Sequence, residues 1–123
     1  MKKLLLIITI LAAGISPLRA QSISYIEITR NWYYIYDQNG KRLRGISASQ
    51  GELVAYSSSF YILKQGSSFY VTYTPEGKRI YAFSVSIVGE ILTASGDTFT
   101  SRKGSWIYTW SKDGKKISTH AAQ

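Results

Sequence analysis

The chain has no cysteine, one histidine and two prolines among its 123 residues. Without cysteine there is no disulfide, no thiolate nucleophile, no cysteine-bound zinc and no lipid-modified cysteine to anchor a lipoprotein. The only histidine, His120, lies three residues from the C-terminus, where chains fray, so a Ser-His-Asp mechanism would hang on a solvated tail residue. No cluster of His, Asp or Glu has metal-ligand spacing, and no phosphate-cradling or dinucleotide motif occurs. Acidic residues number only seven. Asp37, Glu76 and Asp113 fall in turns, and Glu52 and Glu90 follow turn glycines, which suits a solvated rim better than a glycosidase pair facing across a cleft. These absences point to a protein without catalytic residues, metal or cofactor, with a small hydrolase built on His120 the most distant alternative. Nor does the sequence suggest nucleic acid as a partner.

Long apolar runs are missing except at the start. Met1-Lys2-Lys3, the apolar stretch Leu4–Ile15 and Ser16-Pro17-Leu18-Arg19-Ala20 have the order of a cationic, an apolar and a cleavage region. Residues 1–20 therefore read as a helical signal peptide cut after Ala20, too short to span a bilayer comfortably. The expected product is one domain, 21–123, secreted or periplasmic and without a membrane span. Without Lys2, Lys3 and Arg19 it keeps 12 basic residues against 7 acidic, a net charge of +5. That excess is modest and serves solubility before anything else.

Aromatic and β-branched residues dominate what remains, and they recur. Trp32-Tyr-Tyr-Ile-Tyr-Asp-Gln-Asn-Gly40-Lys-Arg-Leu43, Phe69-Tyr-Val-Thr-Tyr-Thr-Pro-Glu-Gly77-Lys-Arg-Ile80 and Trp106-Ile-Tyr-Thr-Trp-Ser-Lys-Asp-Gly114-Lys-Lys-Ile117 stay in register at a spacing of 37 residues. A repeat of this length means stacked supersecondary units. Each unit opens with period-2 alternation, a strand signature, and no sustained 3.6-residue period competes with it. Gly40, Gly77 and Gly114 each end a four-residue turn begun by Asp37, Thr74 or Ser111. A short polar side chain first and a left-handed glycine last describe a type I turn with a G1 bulge.

Further turns at Gly51 and Gly89, 38 residues apart, and strands near 60–63 and 99–102 bring the count to about eleven. Short connections throughout predict an all-β antiparallel meander, rolled and barrel-like or propeller-blade-like. The strand Tyr25–Thr29 should pair beside the strand starting at Trp32. The incomplete units at the two ends leave room for a homodimer formed through a strand edge.

Trp32 and Tyr34, Phe69, and Trp106, Tyr108 and Trp110 share the larger apolar face, which is expected to form the core. The opposite face, with Tyr33 and Tyr70, is then the candidate binding surface, since planar aromatics with polar tips stack on sugar rings. The basic pairs Lys41-Arg42, Lys78-Arg79 and Lys115-Lys116 are a second candidate, a row of cations for an anionic polymer. Solvated residues that discourage edge pairing are the plainer reading of that row.

Tyr34-Ile35-Tyr36-Asp37-Gln38-Asn39-Gly40-Lys41 and its two echoes resemble the bacterial WG-type (KWG) repeat, an aromatic strand followed by a Gly-ended turn and a long return. The resemblance covers most of residues 31–120, although Tyr33 and Ile107 stand where that repeat has glycine. Asn31-Trp32-Tyr33-Tyr34 with Asp37 and Gly40 is more weakly similar to choline-binding cell-wall repeats, and Tyr36-Asp37 with Gly40 to YD repeats. The WG-type resemblance implies an extracytoplasmic or interaction role. Together these readings lead to the expectation of an exported binding module at the cell envelope, with a glycan or a protein as ligand. The alternative is an assembly module that oligomerises through its incomplete repeat.

Overall fold

A computed structural model describes residues 21–122; the leader assigned to residues 1–20 lies outside the described residues. Eleven short strands, all paired antiparallel, form three sheets. The first contains β1 (Tyr25–Ile28), β2 (Trp32–Tyr36) and β3 (Arg42–Ser47). The second contains β4 (Glu52–Tyr56), β5 (Tyr61–Gln65), β6 (Phe69–Tyr73) and β7 (Arg79–Ser84). The third contains β8 (Glu90–Ser95), β9 (Thr98–Lys103), β10 (Trp106–Ser111) and β11 (Lys116–Ala121). Among the described residues no helix is long and apolar enough to cross a membrane.

The strand count agrees with the sequence, and β1 pairs with β2 as expected. The single meander does not form. The chain leaves one sheet for the next between β3 and β4 and again between β7 and β8, and no barrel closes. The reason is local. What read as turns at Gly51 and Gly89 are helical turns, a 3-10 turn at Ala48–Gln50 and one α-turn at Val85–Val88. The second is one residue longer, which accounts for the 38-residue spacing of the two glycines. Both glycines close on a neighbouring backbone, since a Cβ at Gly51 would stand 2.9 Å from the Lys64 carbonyl and one at Gly89 would clash with that of Arg102.

The G1-bulge hairpins are present in all three sheets. Register shifts fall between Ile35 and Tyr36, between Thr72 and Tyr73, and between Thr109 and Trp110. Gly40, Gly77 and Gly114 have φ of +78°, +92° and +111°. Asp37 Oδ1, Thr74 Oγ1 and Ser111 Oγ accept from the amides of Lys41, Lys78 and Lys115, so three different polar side chains close one geometry.

Two cores separate the sheets. Ile23, Ile26, Tyr33, Ile35 and Ile46 pack against Tyr61 and Leu63 of the second sheet. Phe60, Ile62, Tyr70, Phe83 and Val88 pack against Phe99 and Trp110 of the third. Successive residues of β5 enter opposite cores, as strand alternation requires, so the second sheet is buried on both faces. Val71 and Thr72, neighbours in β6, are accordingly both buried.

This arrangement corrects the expected facing. Trp32, Phe69 and Trp106 are exposed, at 44%, 50% and 49% of their surface, while Tyr33 and Tyr70 are buried. Trp110 is a core residue as expected, and Tyr108 packs at the edge of the same core. Tyr34 shares the outward face of the first sheet with Trp32. The larger face was assigned to the core on size, yet a central sheet buries both faces and an end sheet only the one toward its neighbour.

Each sheet also covers the hairpin of the next. Arg44 of β3 lies over Gly77 and donates from Nη1 to the Glu76 carbonyl at 2.7 Å, and the Tyr81 ring of β7 lies over Gly114. Gly40 has nothing within 4 Å of where its Cβ would be.

Two predictions follow from this packing. Gly40→Ala should cost about 1 kcal/mol for left-handed strain alone. Gly77→Ala and Gly114→Ala should cost more, because they also displace Arg44 and Tyr81; equal losses in urea unfolding would refute the covering contacts. Burial pushes the Tyr61 hydroxyl from about 10 up to about 12, against a smaller opposite pull from Arg44. Its proton is held more tightly in the folded chain, so the stabilisation is complete below pH 10 and falls as pH rises toward 12, by roughly 2–3 kcal/mol. Urea titrations across that range should show the loss, and Tyr61→Phe should reduce it.

Candidate functional site

The face expected to bind is interior. Tyr33 Oη donates to the Gly51 carbonyl at 2.9 Å and accepts from the Leu53 amide at 3.2 Å. Tyr70 Oη donates to the Gly89 carbonyl at 2.7 Å, and burial, then Glu90 and Glu52, raise its pKa. Both hydroxyls tie a sheet to the start of the next one, so Tyr33 and Tyr70 present no open ring face on which a sugar could stack. The basic pairs divide as well. All six are exposed, and of them Arg42 and Lys116 lie over aromatic rings of their own sheets.

The outer face of the first sheet is built differently. Alternation that sends Tyr33 and Ile35 into the core turns Trp32, Tyr34 and Tyr36 outward, and cross-strand pairing sets Tyr25 opposite Tyr36 and Glu27 opposite Tyr34. Trp32 stacks beside Tyr34 with ring centroids 6.2 Å apart and planes 12° from parallel. Tyr25 stacks beside Tyr36 at 6.5 Å and 21°. The Arg42 guanidinium sits 4.1 Å from the Tyr34 ring centroid and 5.9 Å from that of Tyr36. Tyr36 Oη donates to Glu27 Oε1 at 3.1 Å. The Tyr36 hydroxyl is also the main influence raising the Arg42 pKa, and a guanidinium is charged at any accessible pH.

Gly45 completes the surface. It pairs with Tyr34 across β2 and β3, and a Cβ there would stand 3.0 Å from Tyr34 Cε1 and 3.8 Å from Trp32 Cε3. Its absence lets the rings lie down over β3. The same place in the other sheets is held by Ala82 and Thr119, 37 and 74 residues on. Glycine inside a strand marks close approach, and that signal could have found Gly45 from the sequence. Tyr25 and Glu27 carry no such mark; only the strand register brings them to the surface.

The arrangement offers flat, partly immobilised rings with hydroxyl tips, flanked by one cation and one carboxylate. That chemistry suits a ligand with apolar ring faces and polar edges. Among the described residues no group of His, Asp and Glu is placed to hold a metal ion. His120 is exposed on β11 opposite Ile107. No family model matches the sequence, and a search of curated proteins finds no match.

Trp32→Ala should change stability by under about 1 kcal/mol, as expected of an exposed residue. Trp110→Ala should cost about 3–5 kcal/mol, since a buried ring and its Ser101 hydrogen bond are lost together. Urea unfolding of the two variants checks the reversed facing directly.

Proposed function

We propose that the chain is an exported, non-catalytic binding module of the bacterial cell envelope that takes a glycan on the aromatic outer face of its first sheet. One observation carries this reading. Tyr25, Tyr34 and Tyr36 hold the positions that Tyr61, Val71 and Tyr73 hold in the second sheet and Phe99, Tyr108 and Trp110 in the third. There those positions are buried or pack against a core; here the same stripe meets solvent, and each of its three rings carries a hydroxyl. Polar-tipped rings in a flat row favour sugar stacking over an apolar contact. In this reading the sheets are blades of an open propeller-like array of WG-type repeats, and the glycan lies across the first blade.

A second reading, assembly through the ends of the repeat, is favoured by the uncovered Gly40, whose equivalents Gly77 and Gly114 each lie beneath the preceding sheet. The other end weakens it. On the outer face of the third sheet Thr100 and His120 replace the buried Ile26 and Ile46, or Ile62 and Phe83, so that end is more polar than the cores, with Ile107 kept opposite His120. Terminal repeats are commonly capped in this way.

A glycan array probed with the chain expressed with its own leader tests the proposal. Binding should occur and should fall at least about tenfold in Trp32→Ala and Tyr34→Ala, given the worth of a stacked ring. No glycan bound, together with a concentration-dependent rise in sedimentation coefficient, would favour the assembly reading instead.

A further inference from the structure

Among the described residues the first sheet has three strands where the others have four, and the place without a strand is the leading one. In the second and third sheets β4 and β8 precede and pair with β5 and β9, the equivalents of β1. β4 and β8 also lie against each other, so each sheet's leading strand packs beside that of the next. Among the described residues no strand occupies the corresponding place beside β1. Thr29 donates its amide to the Trp32 carbonyl, within the first sheet. Alternation then turns the amides of Ile26 and Ile28 away from β2, toward the free edge.

The chain's own approach to β1 leads elsewhere. Ile23 is buried in the first core and donates to the Ser58 carbonyl, and the Gln21 amide lies 3.3 Å from Glu76 Oε2 in the β6–β7 hairpin. Residues 21–23 thus run across the end of the second sheet at its β4–β5 and β6–β7 turns, not alongside β1. Next to the free edge, Ile28, Leu53–Tyr56 and Leu92–Ala94 line a cavity of about 300 Å³. Ile28 and Leu92 are 63% and 49% exposed there, two aliphatic side chains without cover.

We infer that the free edge of β1 is a second binding site, which receives an extended segment of a partner protein as the missing fourth strand. Main-chain pairing to an edge supplies affinity, and the adjoining cavity selects alternate side chains. The two strands that already fill this place elsewhere define the chemistry. β4 reads Glu-Leu-Val-Ala-Tyr and β8 reads Glu-Ile-Leu-Thr-Ala-Ser: an acid, two branched aliphatics, then a small residue within two positions. A partner segment of that pattern would set its aliphatic side chains against Leu53, Val54 and Ile28 as β4 sets its own against β8. The site is independent of the aromatic face.

The test uses a synthetic peptide of residues 51–57, the sequence of β4, with the chain expressed with its own leader. Binding should saturate, and exchange of the Ile26 and Ile28 amides should slow by at least about tenfold. A peptide with proline at the Val54 position should not bind. Ile28→Pro should abolish binding with the melting temperature little changed, because an outward amide at an edge belongs to no ladder bond. Leu92→Asp, at an exposed position, should weaken binding without unfolding the chain. The inference is overturned by no binding, by amides of Ile26 and Ile28 already protected without peptide, or by binding that survives Ile28→Pro in a folded chain.

Discussion

The stacking contact between successive sheets is the constraint from which the rest of the structure follows. A sheet of three or four short strands offers two faces and has too few residues to bury either alone. Tyr33 and Tyr70 fasten each sheet to the start of the next through hydroxyl bonds to Gly51 and Gly89. Arg44 and Tyr81 fasten it at the far side by covering Gly77 and Gly114. The two ties sit at opposite margins of each interface, with the aliphatic and aromatic core between them. Thr72 adds a third in the second interface, donating to the Lys112 carbonyl at 2.7 Å. Such an array is stabilised by nearest-neighbour interfaces, so its middle unit is held twice and its ends once.

Ends held once must be made tolerable to water, and the two ends differ in how this is done. At the third sheet, threonine and histidine replace the core aliphatics. At the first, aromatic side chains remain: Glu27 takes the place of Leu63 and Ser101 and accepts from the Tyr36 hydroxyl, and Arg42 lies over Tyr34. Both solutions cover an unpaired face. Only the second leaves planar surface available for contact, and it does so on a strand pair stiffened by a bulged hairpin.

How much of this was legible in the sequence depends on the kind of information each residue carries. The hairpins were readable because Asp37, Thr74 and Ser111 solve one local geometry, and local geometry is written in adjacent residues. Strand number and the pairing of β1 with β2 were readable for the same reason. Period-2 alternation showed that Trp32, Tyr34 and Tyr36 share a face, but it is silent on which face meets another sheet. That is a property of the stack, and the burial of both Val71 and Thr72 shows that the question has no single answer in a central sheet. The breaks between sheets were hidden because Gly51 and Gly89 look like turn glycines, whereas their role is close backbone approach after a helical turn. The candidate cations were identified as a row from spacing alone. Arg42 and Lys116 belong instead to the aromatic surfaces beneath them.

Gly45 bears on whether the aromatic end is a binding surface or a core that lacks its neighbour. A core face deprived of its partner would have no use for a glycine opposite Tyr34, since the equivalent positions carry Ala82 in the doubly buried sheet and Thr119 in the polar-capped one. Glycine inside a strand costs roughly 0.5–1 kcal/mol relative to alanine. Here it lets Tyr34 and Trp32 lean over the neighbouring strand, within 3.0 Å and 3.8 Å of where a methyl group would stand. The residue that weakens the strand is thus the one that shapes the surface, which is the pattern expected where local stability is given up for contact with something else.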